Sequence, residues 1–363
     1  IMTLKYNLLN YKLMRMRKYY DILRTNEPFM KTSLIQKYKI INNIIKFFNT
    51  INTKPLIINN KPVTAQIEPT SNCNLRCTFC AREHMGVPIG TMSFENFKKV
   101  LDALDCLYKI NISGQGELFM NPELFDMIKY ANSKGILIHI SSNGTLLSDR
   151  VIDNLCEVDI GEIGISVDSV NKERYEKVRV NSNFDLLMRN IKKLTTRFKE
   201  REVKTIVTMA SIIFKESVHE VPEFIELANE VGIKKVAFQT LQTKENFVSY
   251  YGDEMKGNLV NNEIFAIKNY MKKAIELAKK YNITLIFDEE ESPGCLWPWR
   301  GIYVTWNGDV TPCCKILETP KFGMGNIIKQ DFWEVWNGEK YQRIRDALRN
   351  RIAMPSCKGC NRV

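Results

Sequence analysis

The segment Pro69 to Cys80, PTSNCNLRCTFC, sets Cys73, Cys77 and Cys80 in the spacing C-x3-C-x2-C. Three thiols in eight positions leave one over in any disulfide scheme, and the spacing is not the paired C-x2-C knuckle of zinc ribbons. Three thiolates suit a [4Fe-4S] cube whose fourth iron lacks a protein ligand and is open to a substrate or cofactor. A second group stands near the end. Cys295 is followed by twelve residues, Gly308, four more and Cys313, then by a gap of 43 residues and Cys357-Lys358-Gly359-Cys360. Four thiolates complete the ligation of either zinc or a second [4Fe-4S] cluster, and spacing alone leaves both open.

Other groups read more plainly on their own. Gly114 and Gly116 in Ser113-Gly114-Gln115-Gly116-Glu117 mark a tight turn. Ser142 and Asn143 are residue types that cap a helix, here one opening near Leu147. Phe79, between two of the cysteines, fits a core position, and Cys106 and Cys156 lie in helical stretches as packing thiols. Glu68, Arg82, His84, Gln239 and Asp288, near expected strand ends, carry groups that can bind hydroxyls or amines, although such residues more often serve structure or surface.

Thiols on a loop need a scaffold that gathers distant loops at one end. From about 63 to 290 short apolar runs alternate with longer 3.6-periodic segments, which argues for repeated βα units and a parallel sheet. Strands are expected over 63–68, 109–113, 137–141, 162–167, 204–210, 235–240 and 284–288. Helices are expected over 94–107, 122–133, 148–156, 185–201, 221–231 and 263–281. Six units are too few to close an eight-stranded barrel, so an open sheet or incomplete barrel follows, with chemistry at the carboxyl ends of the strands. The three-cysteine loop begins just after the first of them. From about 291 the composition turns to Trp, Pro, Gly and Cys, with Trp306-Asn307-Gly308-Asp309 as a hairpin turn. The expected organisation is a helical extension over 1–62, capping the bottom of the next domain, a core over 63–290 and a small cysteine-bearing domain over 291–363.

Composition narrows the class. A chain of 363 residues with 44% hydrophobic content has ample material for a core, and its longest apolar runs are strand-length, well short of the ~20 residues of a membrane span. With no secretory pattern at the start, a cytoplasmic setting is expected, where ten cysteines stay reduced and free to bind metal. The net charge of +11 points toward anions, yet basic residues along amphipathic helices such as 191–197 read as solvated faces. Neither a membrane nor a nucleic-acid partner is expected, and no RNP-like or helix-turn-helix signature is present.

The cysteine loop, with its position after the first strand, resembles the radical S-adenosylmethionine (SAM) superfamily. The resemblance implies a partial (β/α)6 barrel, with SAM chelating the open iron of the cluster held by Cys73, Cys77 and Cys80. It also implies reductive cleavage of SAM to methionine and a 5′-deoxyadenosyl radical, fed by a flavodoxin- or ferredoxin-type electron donor. In this family Gly116 and Glu117 hold the methionine ammonium, Ser142 and Asn143 meet the ribose hydroxyls, Ser166 approaches the methionine carboxylate and Phe79 lies beside the adenine. Gln115 stands where the family has the first glycine of its GGE triplet, and Leu118 where it has proline. C-x12-G-x4-C resembles the opening of the SPASM domain, and the absence of its later C-x2-C-x5-C-x3-C run resembles the shortened, single-cluster twitch form, with spacing similar to that of 2-deoxy-scyllo-inosamine dehydrogenases. The auxiliary ligands are then Cys295, Cys313, Cys357 and Cys360, with Cys313 preferred over the adjacent Cys314 on the G-x4-C register.

Two [4Fe-4S] clusters and SAM make an enzyme that abstracts hydrogen from an unactivated C–H bond, the cofactors carrying the difficult chemistry. A fully ligated second cluster suits electron transfer, so net oxidation is expected: dehydrogenation or crosslinking. The substrate is a polar small molecule such as an aminocyclitol, or a ribosomal peptide. Alternatives are an epimerase, with Cys106 or Cys156 donating hydrogen as resemblance to radical SAM epimerases allows, a non-enzymatic electron-transfer or cluster-carrier protein, and a zinc protein that binds nucleic acid.

Overall fold

The computed structural model describes residues 17, 19–83, 88–241, 255–256, 264–287, 294–316, 318–358 and 360. Its strands are β1 Thr64–Ile67, β2 Arg76–Cys77, β3 Lys109–Ile112, β4 Leu137–Ser142, β5 Glu162–Ser166, β6 Arg179–Val180, β7 Ile206–Ile213, β8 Lys235–Thr240, β9 Thr284–Phe287, β10 Gly301–Val304, β11 Asp309–Thr311 and β12 Gly325–Asn326. Ten of them form one sheet in the order β12-β11-β10-β1-β3-β4-β5-β7-β8-β9, while β2 and β6 pair apart. Every pairing from β10 to β9 is parallel, and β11 and β12 continue antiparallel. Among the described residues no pairing joins β9 to β12.

The helices of seven residues or more among the described residues are α1 Leu34–Thr53, α2 Phe94–Ala103, α3 Leu124–Ser133, α4 Asp149–Cys156, α5 Lys172–Val178, α6 Phe184–Glu200, α7 Val221–Glu230, α8 Ile264–Tyr281 and α9 Glu339–Arg349. Five begin at a side-chain cap: Ser33, Ser93, Ser148, Asn171 and Asn183 accept backbone N–H groups from Gln36, Asn96, Val151, Arg174 and Leu186. Such a cap contributes about 1 kcal/mol and fixes where each helix leaves its loop. The expected strand over 204–210 lies instead at Ile206–Ile213, and neither α5 nor β6 was expected. His84 and Asp288 lie outside the described residues.

Alternation along the strands decides what each face of the sheet does. Ile110, Ile112, Ile138, Ile140, Ile163 and Ile165 are all buried in one hydrophobic cluster with the helices. Their neighbours on the other face are Lys109, Asn111, His139, Glu162 and Ser166, all partly accessible. A parallel sheet covered by helices on both faces carries near-continuous apolar strands. Here one face carries polar, partly accessible side chains.

The extension docks where the strands start. Asn26 donates to the carbonyl of Gly135, Gln36 to that of Asp105 and Asn43 to those of Lys61 and Pro62, just before β4, β3 and β1. These contacts cap the amino-terminal end of the sheet, the end away from the cysteine loop.

The carboxyl-terminal segment is continuous with the core. β10 lies parallel to β1, with Ala65 opposite Ile302, and Trp299, Ile302, Trp336 and Tyr341 share the main hydrophobic cluster with β1 and β3. The turn from β10 to β11 closes with the Gly308 amide donating to Thr305. Gly308 sits at φ +87°, a conformation that residues with a Cβ resist, so the glycine of C-x12-G-x4-C is the turn that sends the chain to Cys313.

Candidate active site

Each thiol of the first group is held by backbone. The loop leaves β1 at Glu68 and is pinned by buried Ser71, whose hydroxyl donates to Pro88 while accepting from the Gly90 amide. Arg82 donates to the carbonyls of Ser71 and Leu75, so this residue clamps the loop. Cys77 lies in β2, opposite Arg179 of β6, and the Thr78 amide donates to Val178. A turn from Cys80 back to the Cys77 carbonyl completes the curl.

The sulfur atoms lie among hydrogen-bond donors. The Leu75 amide donates to Cys73 Sγ at 3.5 Å, Asn143 Nδ2 lies 3.9 Å from the same sulfur, and Arg179 Nη1 lies 3.8 Å from Cys77 Sγ. Donors of this kind fit sulfur that carries negative charge, and hydrogen bonds to sulfur are one way a protein tunes an iron–sulfur cluster. Burial pushes the Cys77 thiol up to about 11 and raises Cys73 as well. Loading iron therefore expels protons. Among the described residues no three His, Cys, Asp or Glu side chains close on one ion position; a cube does not require that, because each thiolate binds a different iron.

The loops after β3 and β4 meet this loop through Glu117. Its amide donates to the Asn72 carbonyl, and its carboxylate accepts from the Ser142 hydroxyl at 2.8 Å and the Asn143 amide at 2.7 Å. Asn143 Nδ2 reaches on to Asn74 Oδ1 at 2.9 Å. Four sequence-expected residues, Gly116, Glu117, Ser142 and Asn143, thus form one clasp around the cysteine loop. Ser142 and Asn143 do not cap α4, which Ser148 does. Burial raises the Glu117 carboxyl, against the pull of its Asn143 and Ser142 hydrogen bonds.

Gly116 is required by close approach: a Cβ there would lie 2.4 Å from the backbone oxygens of both Thr70 and Asn72. Gly116→Ala must push the two loops apart, at a cost of about 1–3 kcal/mol or more by analogy with overpacking. The expected result is a lower urea midpoint together with less iron retained per chain after anaerobic reconstitution. Unchanged values for both would contradict the clasp.

Glu68 is fully buried and ties three segments together. Its carboxylate accepts from the Gln115 amide at 2.7 Å, Tyr303 Oη at 2.8 Å and the Trp306 amide at 3.4 Å, and burial raises its carboxyl. It welds β1 to the β10–β11 hairpin and is not presented to a ligand. Gln239 is exposed near the end of β8. Ser166 closes β5, two residues before Asp168. Phe79 is half-buried, with its ring 5.6 Å from that of Phe214 and 5.7 Å from the Arg179 guanidinium.

Sequence reasoning missed Arg179. Its Nε donates to Asp168 Oδ2 at 2.6 Å, so a buried ion pair stands directly behind Cys77. The available signal was Asn171 capping a short helix with Tyr175 and Val178 on one face, which ends by delivering Arg179 to the cysteine loop.

In the second group, Cys357 is buried in a short turn whose Cys360 amide donates to the Cys357 carbonyl. Cys295 and Cys313 pack against the main core, and Cys313 lies within electrostatic reach of Tyr341. Cys314 faces elsewhere, packing with Phe79, Phe214 and Tyr303. Cys106 is buried, its thiol pushed up to about 12 by burial, and Cys156 is half-buried in α4 against the main hydrophobic cluster.

The chain matches the radical SAM superfamily over residues 67–241 and SPASM, an iron–sulfur cluster-binding domain, over 295–361. It is 25% identical over 318 residues to the tungsten-containing aldehyde ferredoxin oxidoreductase cofactor-modifying protein of Pyrococcus furiosus, covering 81% of this chain and 86% of that protein. It is also 25% identical to the antilisterial bacteriocin subtilosin biosynthesis protein AlbA of Bacillus subtilis, covering 80% of this chain and 63% of AlbA. In fold it is similar to Streptococcus suis SuiB bound to precursor peptide SuiA, with TM-score 0.63 and 16% identity over 86% of this chain and 73% of SuiB. BtrN in complex with AdoMet and 2-DOIA aligns with TM-score 0.51 and 15% identity over 84% of this chain and 95% of BtrN.

Proposed function

We infer that this chain, which carries a radical SAM domain followed by a SPASM iron–sulfur domain, catalyses the oxidation of a peptide. The radical SAM domain takes a [4Fe-4S] cluster and SAM, and the SPASM domain takes further iron–sulfur. When bound, these groups supply an electron that splits SAM and a 5′-deoxyadenosyl radical that removes a hydrogen atom from the substrate. The observation that carries the reading is the convergence of the Cys73, Cys77 and Cys80 loop with the Glu117, Ser142 and Asn143 clasp at the carboxyl ends of β1, β3 and β4.

The chain's own residues hold and shield. Cys73, Cys77 and Cys80 would ligate the first cluster, and Cys295, Cys313, Cys357 and Cys360 the second. Gly116 offers backbone at close range, the Glu117 clasp keeps Asn143 fixed beside Cys73, Ser166 and Asn143 would position the polar parts of SAM, and Phe79 with Phe214 forms an apolar wall beside Cys77. Arg179 balances the thiolate charge. A peptide substrate is supported by the likeness to AlbA, a bacteriocin biosynthesis protein.

The test is anaerobic turnover with SAM, a chemical reductant and peptides encoded beside this gene. Formation of 5′-deoxyadenosine with loss of two hydrogen atoms in product mass is expected. Unchanged mass with deuterium uptake from heavy water would mean epimerisation instead. The packing of Cys313 and Cys314 adds a sharper expectation. Cys313→Ala should still cleave SAM but give oxidised product at least about tenfold more slowly, since electron exit is lost. Cys314→Ala should keep the second cluster, read from iron content. The opposite pattern would transfer the ligand role to Cys314.

A further inference from the structure

The positive charge of this protein is not spread along it. Residues 1–62 hold twelve Lys and Arg against two acids, Asp21 and Glu27, a net of +10 out of +11 for the whole chain. The sequence-based expectation of no membrane partner rested on the lack of a spanning apolar run and on basic residues read as solvated helix faces, and did not weigh how the charge divides along the chain.

The same segment exposes apolar surface. On α1, Leu34 is 81% exposed, Ile35 73% and Tyr38 69%, with Ile41 and Ile45 also exposed. Leu34, Tyr38, Ile41 and Ile45 recur at i, i+4, i+7 and i+11, so they form one stripe along the helix. The opposite face, with Ile40, Ile44 and Phe47, is buried. The stripe runs into an open groove of about 380 Å³ whose walls include Leu23, Phe29, Ile44, Ile45 and Phe48, with Tyr20 and Met30 exposed at its edge. Basic groups flank both: Arg17, Arg24, Lys31 and Lys39 are exposed, and Lys37 and Lys46 half-exposed. Lys31 pairs with Glu27, and Lys39 and Lys61 share Asp105.

We propose that the amino-terminal extension is a peripheral docking face for an anionic lipid bilayer, with the α1 stripe at the headgroup boundary and the basic residues among the headgroups. Apolar and aromatic residues on a strongly basic helical segment suit the interface plane. Nine of the twelve cations are Lys, a residue that protein–protein interfaces disfavour and anionic headgroups accept. No helix among the described residues is long and apolar enough to cross a membrane, so the contact is a surface one. The extension caps the amino ends of β1, β3 and β4, while the cysteine loops sit at the carboxyl ends. A docked molecule therefore holds its reaction site away from the bilayer, open to substrate.

The test is co-sedimentation of the full, reconstituted chain with vesicles of phosphatidylcholine containing about one third phosphatidylglycerol, and with phosphatidylcholine alone. Binding is expected only to the anionic vesicles, falling about tenfold or more between 0.05 and 0.5 M salt as screening shortens. Arg24→Gln should weaken it about fivefold. The triple variant Leu34→Ser, Ile35→Ser, Tyr38→Ser should abolish it while iron content stays at the wild-type value, since all three side chains point to solvent. Absence of sedimentation, salt-independent binding to both vesicle types, or full binding by the triple variant would overturn the proposal. So would concentration-dependent dimers lost in the triple variant without vesicle binding, capture of an acidic helical peptide without vesicle binding, or vesicle binding that appears only after deletion of residues 1–16.

Discussion

Cys77→Ala is expected to abolish SAM cleavage, leaving 5′-deoxyadenosine at the level of a protein-free control. Two reasons single out this thiol. Three thiolates are the minimum that leaves a cube with one open iron, and removing one exposes a second iron, so the cluster is lost or changes type. Cys77 is also the most constrained of the three, fixed in the β2–β6 ladder with Arg179 beside its sulfur. The comparison is Cys106→Ala, a buried thiol whose loss removes only a little packing and should leave cleavage intact. The readouts are iron and sulfide per chain, the spectrum of the reduced cluster and chromatographic detection of 5′-deoxyadenosine. Because burial holds the empty Cys77 thiol up near 11 and raises Cys73, loading must release protons, and wild-type reconstitution should weaken steadily as pH falls from 8 to 6. Wild-type cleavage by Cys77→Ala would remove the foundation of the functional reading.

The thiols were legible because they are chemistry written in consecutive sequence, and their spacing carries a coordination number. The glycines and polar residues after β3 and β4 were legible only in company. Gly116 alone signals a turn, and what makes it necessary, the backbone of Thr70 and Asn72 at 2.4 Å, comes from a loop some 45 positions away. Glu68 shows the limit of such reading. Its place at the end of β1 left a binding role open beside the more usual structural one, and the partners that decide it, Tyr303 and the Trp306 amide, lie more than 230 positions later and make it a buried joint. No local pattern announces a partner at that distance.

The fold was legible where apolar periodicity is strong. The parallel strands and the helices between them appear close to their expected positions, since each buries a regular stripe. The carboxyl-terminal segment was harder. Its hairpin turn was visible in Asn307-Gly308, yet the parallel pairing of β10 with β1 that merges it into the main sheet is a long-range contact which the turn does not encode. α5 and β6 escaped because both are short, at seven and two residues, below the length over which periodicity separates helix from loop.

That blind spot hid the residue on which stability next depends. Arg179→Ala is expected to cost about 3–5 kcal/mol, because it strands a charge in the interior. Asp168 has a side chain only 1% exposed, and without the guanidinium its remaining partner is the Ile212 amide, 2.8 Å from Oδ1. Water cannot take over that role at such a depth without opening the junction of β5, β6 and the cysteine loop. The guanidinium also approaches Cys77 Sγ and the Phe79 ring, so its removal should loosen the first cluster as well as the fold. A double variant separates the two effects. Arg179→Met with Asp168→Asn removes both charges at similar volume and should recover most of the lost stability, read as the urea midpoint of the reconstituted protein. If Arg179 also balances thiolate charge, the double variant should still hold iron less firmly and show an altered spectrum of the reduced cluster. Full recovery of stability, iron content and spectrum would reduce Arg179 to a structural counterion. A single Arg179→Ala variant as stable as wild type would mean that the pair is not buried as described.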